Sequence, residues 1–130
     1  MNNRAIKILF RLPALIIAIG IFSLSAQSVL PQPKGIFGWD KFQHLLAYAS
    51  LSFCAGFWFS TQDWKAKPVF ALLITIAVSI LYGLSDEIHQ YFTPGRDCNI
   101  FDLLADSLGA LIGAFLCLLM KGKVIRRNIP

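Results

Sequence analysis

Charge is scarce in this chain. Only 15% of its 130 residues are Asp, Glu, Lys or Arg, against 56% hydrophobic residues, whereas soluble domains carry about a quarter charged. An ordinary soluble fold is excluded and the bilayer is the expected solvent. Catalytic motifs are missing too: there is no His-Glu-x-x-His, Gly-x-Ser-x-Gly, P-loop or Cys-x-x-Cys, so no recognised enzyme class has motif support. With two histidines and one cysteine, Cys98, in a polar loop, no metal and no cofactor are expected. Cys54 and Cys117 fall within apolar stretches, so no disulfide framework follows. Internal repeats and low-complexity tracts are absent as well.

Long apolar stretches dominate what is there. They run from Leu12 to Leu30, Phe42 to Ser60, Val69 to Ser85 with helix continuing to Tyr91, and Phe101 to Met120. At 1.5 Å per residue, about 20 residues span the roughly 30 Å hydrocarbon core. The breaks, Pro31 to Gly35, Thr61 to Pro68 and Asp86 to Asn99, carry the Pro, Gly and charge that end helices. The expected fold is therefore all-α: one domain over residues 1–130, an integral membrane bundle of four transmembrane helices.

Charge sign orients that bundle. Four spans place Arg4, Lys7, Arg11, Lys65, Lys67, Lys121, Lys123, Arg126 and Arg127 on one side, nine of 12 basic residues, with Asp63 as the only acid. The positive-inside rule makes that side cytoplasmic, so both termini are expected in the cytoplasm of a multi-pass inner-membrane protein. Opposite lie Lys34, Lys41 and Arg96 with Asp40, Asp86, Glu87, Asp97, Asp102 and Asp106, six of seven acids. Basic blocks beside apolar stretches are topology signals, so the net charge of +5 does not imply a nucleic-acid partner. A competing reading makes Arg4 to Ser25 a cleaved signal peptide, but the apolar run continues to Val29 and Leu30.

The outer side gathers the chemistry. Asp40, His44 and Tyr48 at i, i+4, i+8 share one helix face, and a histidine a turn inside a membrane helix needs a polar partner. On a continuing third helix, Asp86 shares a face with Tyr82, His89 and Gln90, whereas Glu87 and His89 at i, i+2 point apart, making them a poor acid–base pair. Thr93-Pro94-Gly95-Arg96 suits a type II turn that aims Arg96 back at the helix ends, to pair with Glu87 or an aspartate or to grip a ligand phosphate. Asp97 or Asn99 can cap the fourth helix and Asp102 suits its first turn. Asp106, Gly109 and Gly113 share a face, the glycines forming a small-xxx-small seam that should turn Asp106 inward.

The ordered signatures Asp40-Lys41-x-x-His44, Tyr82-Gly83-x-x-Asp86-Glu87-x-His89-Gln90, Pro94-Gly95-Arg96 and Asp102-x-x-x-Asp106-x-x-Gly109-x-x-x-Gly113 resemble the VanZ-like family of bacterial membrane proteins, over roughly Trp39 to Phe115. That family takes its name from a member associated with low-level resistance to the glycopeptide teicoplanin. The chain departs from the pattern at Asp106, where Asn is common, and at Cys98. The resemblance implies a cell-envelope protein, and the charge distribution gives it an extracytoplasmic polar pocket built from Asp40, Lys41, His44, Glu87, His89, Gln90, Arg96, Asp97, Asp102 and Asp106. Such a pocket would take a membrane lipid or a lipid-linked or peptidoglycan-related ligand. Two other readings stay open. One is a hydrolase or transferase with Glu87 or His89 as general base and Ser85 or Thr93 as candidate nucleophiles; the other is an oligomeric transporter or flippase packed through Gly109 and Gly113.

Overall fold

Backbone N–H and C=O groups in an apolar medium must be satisfied within their own segment, which selects helix for the long apolar stretches. The computed structural model describes residues 3–28 and 38–127. Among these are five α-helices and no strand: α1 (Asn3–Ser25), α2 (Trp39–Ala55), α3 (Thr61–Ala66), α4 (Pro68–Tyr91) and α5 (Ile100–Arg127). A 3₁₀ turn over Gly56–Trp58 follows α2.

Contacts at the two ends show that the four long helices alternate in direction. At one end, Gln90 near the close of α4 reaches Ser25 at the close of α1 (3.3 Å), and Lys41 at the start of α2 pairs with Asp102 at the start of α5 (2.7 Å). At the other end, the Trp58 indole donates to the Arg11 carbonyl (3.3 Å). Phe10 stacks on Phe57 there, and the Lys121 ammonium lies 4.9 Å over the Phe57 ring. The α2–α5 pair is central, with α4 packed on α5 and α1 on α2.

The polarity of the bundle is inverted relative to a soluble one. Ile16, Ile19, Leu73, Val78, Leu81, Leu108 and Phe115 point outward, while Ala14, Ala71, Ala110, Ala114, Ser52 and Ser79 are buried. Without water to drive apolar burial, small residues that let backbones approach are what hold membrane helices together. Gly109 abuts the Leu45 carbonyl and Gly113 the Ala49 carbonyl of α2, positions where a Cβ would collide with backbone. Ser52 completes this seam by donating to the Ala110 carbonyl (2.8 Å).

Among the described residues three helices are long and apolar enough to cross a membrane: Ile8–Ser25 of α1, α4, and Ile100–Arg126 of α5. The 17 residues of α2 reach about 26 Å, short of the roughly 30 Å core, so length and composition support three spans where the sequence suggested four. Boundaries shift for identifiable reasons. α1 begins at Asn3 rather than Leu12, because polar residues can continue a helix beyond the apolar medium, and it ends at Ser25. The expected continuation to Leu30 and the break from Pro31 to Gly35 lie outside the described residues, as does Lys34. α2 ends at Ala55 rather than Ser60, because Gly56 tucks under Cys117 and its carbonyl accepts from the buried Trp64 indole (2.9 Å). The stretch after Ser60, expected as a break, holds α3, started by a reciprocal Ser60–Asp63 capping box. α5 runs to Arg127 rather than Met120, its last turns carrying cations that favour a helix C-terminus.

Candidate functional site

The alternating helices bring the C-termini of α1 and α4 and the N-termini of α2 and α5 to one end, and the polar side chains gather there. α4 closes on the turn Thr93-Pro94-Gly95-Arg96, where Gly95 takes φ 79° and the Arg96 N–H donates to the Thr93 carbonyl (3.1 Å). Asn99 then starts α5, its side-chain oxygen accepting from the Phe101 N–H (2.9 Å), as an N-cap does. The Asn99 N–H donates to Glu87 Oε2 (2.8 Å), tying the loop to α4.

A cavity of about 640 Å³ opens among these ends. Asp40, His44, Gln90, Arg96, Asp97 and Asp102 line it, together with Asp86 and Ser25 and the apolar Ile21, Leu24 and Ala47. Lys41 bridges Asp40 (2.6 Å) and Asp102 (2.7 Å), and its hydrogen bond holds the Asp40 carboxyl below the usual carboxylate range. Gln90 is a junction: its amide donates to Asp86 (3.1 Å) and Ser25 (3.3 Å), and its oxygen accepts from Arg96 (3.2 Å).

Behind the cavity wall sits a tighter group. His44 Nδ1 is 2.8 Å from Asp106 Oδ1, with Asp106 0% and Glu87 1% exposed. One donor atom from each of His44, Glu87 and Asp106 lies within 4.8 Å of the others. A buried carboxylate fixes the ring so that Nδ1–H donates to it, leaving Nε2 as the basic nitrogen. That arrangement can take or give a proton at a ligand in the cavity.

The expected set therefore divides. Asp40, Lys41, His44, Glu87, Gln90, Arg96, Asp97, Asp102 and Asp106 lie at or directly behind the cavity. His89 does not; it stacks on Phe22 of α1 at 4.6 Å between ring centroids. Arg96 forms no ion pair with a carboxylate among the described residues, and its hydrogen bond goes to Gln90 instead. The reason is reach: Glu87 turns toward α5 and is held by the Asn99 backbone, while Asp102 is held by Lys41. Asp86, Ser25 and Tyr48 belong to the polar end but were absent from the expected set. Asp86 was discoverable, since it shares the α4 face of Gln90.

An all-helical chain with apolar outward faces and one polar, cavity-bearing end is a membrane protein of multi-pass type. The family model described as VanZ/LLP1 matches residues 4–121, and the chain belongs to that family. The match takes in α1, which lay outside the residues that carried the resemblance. No curated protein and no solved structure matches.

Proposed function

We propose that this VanZ-type protein sits in the bacterial inner membrane with α2 as a fourth, shorter crossing and both termini cytoplasmic. In this reading its cavity holds the anionic headgroup of a membrane lipid or lipid-linked envelope precursor from the outer side. One observation carries the reading: Arg96 borders the cavity with no carboxylate partner among the described residues. A guanidinium with donors to spare beside an apolar wall of Ile21 and Leu24 suits a phosphate carried on an acyl chain. Lipid-linked cell-wall precursors fit that description, which connects the pocket to glycopeptide susceptibility.

The test is lipid retention by the chain purified in nanodiscs of mixed phosphatidylglycerol and phosphatidylcholine. Wild type should retain phosphatidylglycerol selectively on release, Arg96→Lys partly, and Arg96→Ala not at all. Equal retention by Arg96→Ala would defeat the reading. In cells, a deletion strain complemented with wild type or Arg96→Ala should differ in glycopeptide tolerance and in its pool of lipid-linked precursors.

A second reading, headgroup hydrolysis or transfer, is favoured by the His44–Asp106 pair, which is built like a general base with its orienting carboxylate. It moves the base from Glu87 or His89 to His44. Turnover of a lipid-linked phosphate by wild type, and its loss in His44→Gln with binding retained, would separate this reading from simple binding.

A further inference from the structure

Two carboxylates and one imidazole meet behind the cavity wall, with His44 lining the cavity and Glu87 and Asp106 set behind it. Glu87 and Asp106 are essentially without solvent contact, about six residues or ~9 Å below the start of α5 in the case of Asp106. Burying one carboxylate without compensation costs several kcal/mol, and two adjacent ones more. Among the described residues the cations of this end do not supply the compensation: Lys41 is engaged by Asp40 and Asp102, and Arg96 bonds to Gln90. His44 is, among the described residues, the basic group grouped with both acids.

The atoms that are left over are specific. Glu87 Oε1 and Asp106 Oδ2 accept no hydrogen bond among the described residues, although their sister oxygens are held by the Asn99 N–H and by His44. The hydroxyl of Tyr48, a side chain 1% exposed, is also without a partner. The Tyr48 ring and Asp106 Oδ2 both pack over Gly83, where a built Cβ would lie 3.1 Å from Asp106 Oδ2 and 3.3 Å from Tyr48 Cε1. Glu87 and Asp106 thus each carry an unpartnered oxygen on a nearly fully buried side chain, and one donor atom of each lies within 4.8 Å of the other and of His44.

We propose that His44, Glu87 and Asp106 form a binding site for one divalent transition-metal ion of the zinc or manganese class, with its open coordination positions toward the cavity. Donor atoms about 2.1 Å from such an ion lie about 3.0–3.4 Å apart when neighbouring. The 4.8 Å envelope of the three donors needs only small side-chain adjustment to reach that. On binding, the ion takes the place of the proton that His44 Nδ1 shares with Asp106, that proton leaving to water, and the 2.8 Å contact widens slightly to the spacing of adjacent ligands. Imidazole with two carboxylates favours zinc or manganese over calcium or magnesium, which prefer oxygen donors alone. A charge of +2 also balances the two buried acids. The proposal departs from the sequence expectation of no metal, because the donor set needs only one histidine. The site adjoins the proposed headgroup pocket but does not depend on what that pocket holds.

The experiment uses the full chain in phosphatidylcholine nanodiscs, stripped with chelator, incubated with Zn²⁺ or Mn²⁺ against excess Mg²⁺, desalted and measured by elemental mass spectrometry. Wild type and His89→Ala should each retain about one ion per chain. Glu87→Gln and Asp106→Asn should bind at least about tenfold more weakly, since even changes to groups supporting a ligand cost about 10–100-fold. The metal should also raise the thermal midpoint of wild type but not of those two variants. Absence of retention and of any midpoint shift in helical wild-type protein would overturn the proposal, as would variants that bind as tightly as wild type. Arg96→Ala should keep its ion while losing phosphatidylglycerol retention, so failure of the headgroup reading and failure of the metal site give different results.

Discussion

Asp106 lies 0% exposed with one oxygen on His44, so replacing it with a side chain that cannot accept should be felt twice. Asp106→Ala leaves a buried imidazole N–H unpaired, at about 1–3 kcal/mol, and opens a small void beside Gly83. Unfolding of the purified protein in mild detergent should show that loss, and Asp106→Asn should recover most of it under metal-free conditions. A neighbouring prediction concerns backbone. Gly95 sits at φ 79°, and a Cβ there would come within 3.0 Å of the Ser28 carbonyl oxygen. Gly95→Ala should therefore impair phosphatidylglycerol retention much as Arg96→Ala does, though Arg96 is still present. The left-handed conformation costs an L-residue about 1–2 kcal/mol, and relieving it swings Arg96 away. Which residues would cluster was legible in the sequence, because ionisable groups in apolar helices have to be sheltered together. Who bonds whom was not. Two positions on a helix differ by about 200°, enough to send Glu87 toward α5 and leave His89 against Phe22. The Arg96–Gln90 bond depended on the neighbouring acids being engaged elsewhere, which no single segment reveals.

At the level of elements, the α2–α5 seam joins the two helices that supply His44 and Asp106. Gly113 lies against the Ala49 carbonyl and the Phe53 N–H, and Gly109 against Leu45 and Ala49. Gly113→Leu has to push the helices apart, and overpacking of this kind costs typically about 1–3 kcal/mol or more. Ser52→Ala, which removes only the bond to Ala110, should cost about 0.6 kcal/mol, the mean for hydrogen bonds between membrane helices. Titration with denaturing detergent should rank wild type, Ser52→Ala and Gly113→Leu in that order; a Gly113→Leu protein as stable as wild type would remove the seam from the account. The seam is filled within one chain, so these glycines give no argument for self-association. Spacing alone identified the glycine stripe, since i, i+4 small residues share a face. Hydropathy could not place helix ends: Phe57, Trp58 and Phe59 continue the apolar run, yet α2 stops where Gly56 meets Cys117 and Trp64. The Ser60–Asp63 capping box marks α3 as plainly as any local signal can, but it fell in a segment whose charges and proline drew the eye to a break.

For the molecule as a whole, the polar end and the basic end are opposite ends of one bundle. Asp40, Asp86, Glu87, Asp97, Asp102 and Asp106 lie at the cavity end, whereas Arg11, Lys65 and Lys121 belong to the other, with α3 and the C-terminal turns of α5. In the orientation proposed above, which follows the positive-inside rule, the basic end faces the cytoplasm and the loop between α4 and α5 lies outside. The chain carries its own reporter of that loop: Cys98 is exposed, Cys117 is buried and Cys54 is half-buried within α2. A membrane-impermeant maleimide added to spheroplasts should therefore label wild type at Cys98, and Cys98→Ser should abolish the label while leaving the other two thiols to react only after the membrane is dissolved. Labelling that requires permeabilised cells would put the loop, and with it Arg96 and the cavity mouth, in the cytoplasm. A headgroup taken from the outer leaflet would then be physically out of reach, whatever Arg96 and His44 can bind in isolation.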